Sequence, residues 1–194
     1  AVIGGSTCSR EVEVLSSELE ELSARLAGAK TTVFQTRKER DETLAKRLKG
    51  YERIGINSRE LTHANYQFIR KCAKGARLKD VSEAIGKARM IKDAQEISRI
   101  KKACDITCRT AEEIPELVRE GQMETEAAAE LNYRMMKLGA AGPSFATNAS
   151  FGPGTAEPHY VPASRRLKKG QLALFDFGAS YKRYAADLTR TFVC

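Results

Sequence analysis

The sequence predicts an α/β (α+β) chain of two domains, on three observations. Strand-like and helix-like runs alternate through the first half, amphipathic helices dominate the middle, and a stretch punctuated by glycine and proline leads into two strand-like runs. A length of 194 residues suits one large domain or two small ones, and the change of pattern near Asp93 favours two. The expected domains are residues 1–91 and 92–194.

Taken in order, Leu15, Leu19, Leu22 and Leu26 mark the apolar stripe of a helix that Gly28 ends, too short a stripe for a coiled coil. Thr31, Thr32, Val33 and Phe34 read as a strand, a charged helix then reaches Leu48, and Ile54, Gly55 and Ile56 read as another strand. Ser58 is expected to cap a helix running toward Cys72, and Ser82 to cap one beginning at Glu83. From Asp93 the apolar positions Ile97, Ile100, Ala103 and Ile106 predict a long helix. A further helix is expected from Glu124 to Leu138, closed by Gly139. Beyond it, Gly142, Pro143, Gly152, Pro153, Gly154 and Pro158 punctuate an extended segment.

Composition narrows the function classes. The chain is 42% hydrophobic and 30% charged, without an apolar run long enough for a membrane span. No basic stretch followed by an apolar one opens the sequence, so a cytoplasmic location is the expectation, with no membrane partner. The formal charge of +8 comes from residues before 104, where Lys and Arg alternate with acids as in Arg37-Lys38-Glu39-Arg40-Asp41-Glu42. That pattern suits a solvated helical surface, and no nucleic-acid partner is expected. Cys8, Cys72, Cys104, Cys108 and Cys194 are odd in number and scattered, unlike a disulfide framework; Cys104 and Cys108 are expected in the core. The chain starts at Ala1 without methionine and stops at Cys194 directly after a strand-like run. Both ends are therefore expected to be cut, since a domain ending there leaves an apolar edge strand unpaired.

The chemistry concentrates near the end. Residues 171–179 and 184–192 read as a hairpin with Ser180, Tyr181, Lys182 and Arg183 as a four-residue loop. Pairing Ala179 with Tyr184 puts Asp176 opposite Asp187, with Cβ atoms roughly 4.5 to 5.5 Å apart. Two carboxylates that close repel unless a cation, a shared proton or basic partners such as Arg190 neutralise them, and spacing alone leaves these open. Leu172 and Leu174 beside the acids, with Phe175, Phe177, Leu188 and Phe192 on the other face, predict a sheet covered on both sides, which raises the metal reading. His159 follows the Gly/Pro-rich stretch and becomes a candidate ligand or proton shuttle if it lies near the acids. His63, on a probable helix far upstream, is read as structural or exposed.

Four runs carry a resemblance: Gly152-Pro153-Gly154-Thr155-Ala156-Glu157-Pro158-His159-Tyr160, Leu167-Lys168-Lys169-Gly170, Asp176-Phe177-Gly178-Ala179, and Tyr184-Ala185-Ala186-Asp187-Leu188-Thr189-Arg190-Thr191-Phe192. Together they resemble the pita-bread metallopeptidases, with Xaa-Pro dipeptidases (prolidases) and Xaa-Pro aminopeptidases most similar. Ala88 to Ile97 looks like the linker into the catalytic domain, and the residues before it resemble part of a creatinase-type N-terminal domain. The resemblance implies a partial creatinase-type N-terminal domain followed by the first half of a pita-bread catalytic domain. It also implies two divalent ions, usually manganese or cobalt (zinc is a third candidate), with Asp176 a ligand of one and Asp187 bridging both. His159 would contact substrate and help stabilise the tetrahedral intermediate during hydrolysis of the bond before proline. Homodimers are usual in that family.

Two departures stand out. The family completes its site with one more histidine and two glutamates from the second half of the catalytic domain, so the chain ending at Cys194 is expected to be inactive by itself. Arg183 stands where relatives often have glycine. A non-catalytic binding protein on the same fold and a metal-independent hydrolase like creatinase are the alternatives.

Overall fold

The computed structural model describes residues 2–4, 12–17 and 30–194, with side chains from residue 31 onward. The chain divides into two compact units, Ala1–Met90 and Ile91–Cys194.

In the first unit, β1 (Val2–Gly4), β2 (Val12–Ser17) and β3 (Lys30–Phe34) form a sheet in which β2 pairs antiparallel with β1 and parallel with β3. Leu15 therefore lies on a strand and not on the expected helix, while Leu19, Leu22, Leu26 and Gly28 lie outside the described residues. Short polar and β-branched neighbours, Val12, Val14 and Ser16, favour the strand there. Helix α1 (Arg37–Leu48) starts where Thr36 Oγ1 accepts the Glu39 N–H at 3.1 Å. Strands β4 (Arg53–Ile56) and β5 (Arg77–Asp80) are parallel and joined through α2 (His63–Cys72), the crossover that parallel pairing requires. Thr62, not Ser58, caps α2, its Oγ1 accepting the Asn65 N–H at 3.3 Å. Ser82 is the first residue of α3 (Ser82–Met90) instead of its cap, because its hydroxyl donates to Asn57 and Asp80 across the β4–β5 ends.

The second unit carries the main core. Asp93 and Glu96 form a reciprocal capping box that starts α4 (Ala94–Leu117). Ala103, Ile106 and Ile114 are buried on its inner face; Ile97 is 44% exposed, so the apolar stripe begins a turn later than expected. Cys104 and Cys108 are exposed, which corrects their placement in the core: the buried positions of α4 fall at 103, 106, 107, 110 and 114, and both cysteines point off that stripe. Helix α5 (Glu124–Lys137) packs Ala127, Leu131 and Met135 into the same core.

Against these helices lies the sheet β11 (Leu188–Val193), β8 (Leu172–Phe177), β7 (Asn148–Phe151), antiparallel throughout. A second small sheet has the order β10 (Tyr184–Ala185), β9 (Ala179–Tyr181), β6 (Gly142–Pro143). Phe151, Phe175 and Phe177 are fully buried beneath α4 and α5, and Phe151 meets Phe175 edge to face at 6.1 Å. Among the described residues no helix is long and apolar enough to cross a membrane.

Candidate active site

The hairpin that carries the two aspartates has a shorter turn than its polar link suggests. β9 runs on to Tyr181 and pairs it with Tyr184, leaving Lys182 and Arg183 as the turn. Both sit at positive φ, 48° and 69°, the left-handed geometry of the tight turns that match strand twist. Arg183 thus occupies a backbone conformation that glycine adopts without strain.

The shorter turn shifts the register by two residues. Thr189, not Asp187, lies opposite Asp176, and Leu188 lies opposite Phe177, which carries Asp187 to the level of Gly178. The expected direct pairing of the acids is therefore replaced by a diagonal one on the same face, for which Cα separations of roughly 7–8 Å are typical. The gap between the two strand pairs is bridged at Gly178. A Cβ there would lie 1.8 Å from the carbonyl oxygen of Ala186, so only glycine allows this approach. Ser144 reinforces it: its N–H donates to the Gly178 carbonyl at 2.8 Å and its hydroxyl to the Ala186 carbonyl at 2.7 Å. Behind it, the Ala179 N–H donates to Thr107 Oγ1 of α4 at 3.0 Å. The backbone between the two acids is thus held from three directions.

The acid-bearing face is uneven, buried at Asn148 and Ser150 of β7 and exposed elsewhere. Leu172 is 48% exposed, Asp187 and Thr189 are exposed and Asp176 is half-buried, so the expectation of a sheet covered on both sides fails on this face. Among the described residues, α4 and α5 pack on the phenylalanine side. Within this chain, burial by itself does not demand a counter-charge at Asp187, which is exposed, and does so only weakly at Asp176. Asp176 accepts one hydrogen bond, from the Thr189 hydroxyl at 3.1 Å. Among the described residues Asp187 has no hydrogen-bond or ion-pair partner.

Asn148, which faces Asp176 from β7, was not identified from sequence, because the segment around it reads only as extended. Its Oδ1 is buried without a partner, as is the hydroxyl of Ser150 two residues on. A buried amide oxygen lacking a donor, opposite the Asp176 carboxylate, adds an oxygen donor of the kind that suits a hard or borderline divalent ion. The fit is partial: the described residues contain no group of three His, Cys, Asp or Glu side chains placed to hold a metal.

His159 lies at the far end of the loop that follows β7, exposed, with φ of 56°. The loop is anchored by Glu124, a second residue that sequence reasoning passed over. As the first residue of α5 it reads as an ordinary acid at a helix start, yet it is fully buried. Its Oε1 accepts the Phe151 N–H at 2.9 Å, and its Oε2 accepts the Tyr160 hydroxyl at 2.9 Å and the Ala163 N–H at 3.0 Å. Arg165 Nε stands 3.6 Å from Oε1. His63 belongs to the first unit, where it is exposed and within hydrogen-bond reach of Gln67.

Residues 98–194 match the model of metallopeptidase family M24, and residues 8–91 match that of the creatinase/prolidase N-terminal domain. An Xaa-Pro dipeptidase of Pyrococcus horikoshii is 34% identical over 89% of this chain and 49% of its own length. Among solved structures, a prolidase from Pyrococcus furiosus superposes with a TM-score of 0.81 at 32% identity, covering 94% of this chain and 53% of its own. An X-Pro aminopeptidase from Thermotoga maritima gives 0.84 at 25% identity, covering 95% and 53%. The chain spans about half the length of the relatives it matches.

Proposed function

The chain belongs to metallopeptidase family M24, and from that premise we propose that it supplies the N-terminal domain and the aspartate-bearing part of the catalytic domain of an Xaa-Pro peptidase. The observation that carries the reading is the pair Asp176 and Asp187, set diagonally on one sheet face with Gly178 allowing their strands to approach closely. In this reading Asp176 and Asp187 would hold divalent metal, with manganese the first ion to test. Metal bound there would lower the pKa of a water and polarise the scissile carbonyl.

The chain's own residues have distinct tasks. The Thr189 hydroxyl fixes one oxygen of Asp176 and so orients the carboxylate on the acid-bearing face. His159 meets the substrate from the loop beyond β7 and donates a hydrogen bond to the oxygen on which charge develops. Proline makes the scissile bond a tertiary amide with no N–H to recognise, so specificity must come from a pocket shaped for the ring. A peptide or dipeptide with proline in second position is the proposed substrate, and a homodimer the proposed assembly of the complete protein.

The test is to sequence the gene past the codon for Cys194 and assay its complete product on Ala-Pro and on a longer Xaa-Pro peptide with manganese. The expected result is a downstream histidine and two glutamates, with cleavage that chelation abolishes and Asp187→Asn eliminates. A complete reading frame without those residues, or cleavage indifferent to chelation, would overturn the reading.

A further inference from the structure

Glu124 is the most completely partnered carboxylate in the described chain, and its partners share one segment. Phe151 stands at the end of β7, where the loop to His159 begins; Tyr160 directly follows His159; Ala163 lies where the chain returns to α5. One carboxylate therefore grips the start, the tip and the return of a single loop. The return is stitched further to the start of α5, with Glu124 N–H donating to the Arg165 carbonyl at 3.0 Å and Thr125 N–H to that of Ala163 at 3.3 Å. Gly154 completes the closure: a Cβ there would stand 3.2 Å from the Tyr160 ring and 3.5 Å from Glu124 Oε1. The loop packs directly onto its anchor.

Burial of an ionised group is costly unless several donors meet it, and Glu124 has two backbone N–H groups, a phenol and a nearby guanidinium at the positive end of a helix. The tip it grips is itself in an uncommon conformation. His159 holds φ at 56°, which a non-glycine residue keeps only when its surroundings over-determine it. His159 is exposed and does not belong to the buried core cluster. The constraint arrives through the adjacent Tyr160.

We propose that Glu124 is the positioning residue for His159, a buried carboxylate that fixes the loop in the conformation presenting the imidazole to substrate. The functional half of this statement rests on the reading of His159 given above; the structural half does not.

The test has two arms. In the 194-residue chain, hydrogen exchange is compared for wild type, Glu124→Gln and Tyr160→Phe. The glutamine keeps the shape but turns one acceptor into a donor facing N–H groups. Amides of Phe151 and Ala163 are expected to exchange faster by about tenfold or more in Glu124→Gln, the factor that goes with one lost charge-assisted hydrogen bond. Tyr160→Phe, which removes only the phenol, is expected to give a smaller rise confined to the loop, while α4 and β8 stay protected. If Glu124→Gln fails to fold, Tyr160→Phe decides. Unchanged loop exchange in the folded variants overturns the proposal.

The second arm uses the complete gene product and a double-mutant cycle with Ala-Pro. Glu124→Gln is expected to lower kcat with little change in KM, and to cost nothing further in a His159→Ala background. Additive losses would mean that Glu124 serves stability alone, and would overturn the positioning role. If His159→Ala leaves kcat unchanged, the catalytic reading of His159 fails and the positioning role with it, while the exchange arm still decides the anchor.

Discussion

The two faces of the β11-β8-β7 sheet are built from alternate residues of the same strands and obey opposite rules. On one face Phe151, Phe175 and Phe177 are fully buried under two helices. On the other, Leu172 and Val193 are 48% and 70% exposed, Asp187 is exposed and Asp176 half-buried, and only Asn148 and Ser150 of β7 are buried among its polar residues. The carboxylates divide in the same way. Glu124 is buried and satisfied on both oxygens, whereas Asp176 has one hydroxyl partner. A carboxylate that holds structure has its lone pairs filled; one available to a ligand keeps them free. Among the described residues the sheet therefore packs its core on one face and leaves its aspartates with few partners on the other.

That division is open to measurement by substitution, beginning where the effect is largest. Phe175→Ala removes a fully buried ring and is expected to cost about 3–5 kcal/mol in urea unfolding of the second unit. A cost under about 1 kcal/mol would show that the phenylalanine face is not the stabilising one. Gly178→Ala places a methyl against the Ala186 carbonyl and is expected to cost about 1–3 kcal/mol, with local exchange rising on both strands as they part. Arg183→Gly relieves a left-handed residue and is expected to stabilise by about 0.5–1 kcal/mol, read as a higher melting temperature. Asp176→Asn, on the acid-bearing face, is expected to stay within about 0.5 kcal/mol of wild type without metal. A large loss there would mean the acid is structural and would break the contrast.

A surface carboxylate of the first unit sharpens the same contrast by titration. Asp80 accepts the Ser82 N–H at 2.9 Å, the Ser82 hydroxyl and the Ser58 N–H at 3.4 Å, and these bonds, led by the hydroxyl, hold its pKa well below the usual carboxylate range. A depressed folded-state pKa adds stability that is fully present above the unfolded value of about 4 and fades as pH falls toward the folded one. Asp80→Asn is therefore expected to lower stability at neutral pH, and the difference from wild type to shrink below about pH 4. A pH-independent difference would show that the charge contributes nothing.

Much of the fold can be read locally. Asp93 and Glu96 announce the start of α4 by their capping pattern, the β-branched runs near Val33 and Ile54 form strands, and Gly139 closes α5. His159, Asp176 and Asp187 are visible as candidates because chemistry-bearing residues are few and their motifs are short-range. Failures came where a choice depends on partners distant in sequence. Ser58 and Thr62 are both good caps, and only the β4–β5 ends, which engage Ser58 and Ser82, decide between them.

By itself the sequence determined the family and the mixed α/β fold class, and it singled out the aspartates as candidates, since these follow from periodicity and from motifs that carry their meaning locally. Tertiary structure alone decided the register that sets Thr189 opposite Asp176, because a two-residue turn and a four-residue turn are equally polar in sequence and differ only in strand twist. It alone decided which acids are buried. Glu124 and Asp176 are both acids at the start or in the middle of an element, and their fates diverge because one meets a returning loop full of donors and the other a single hydroxyl.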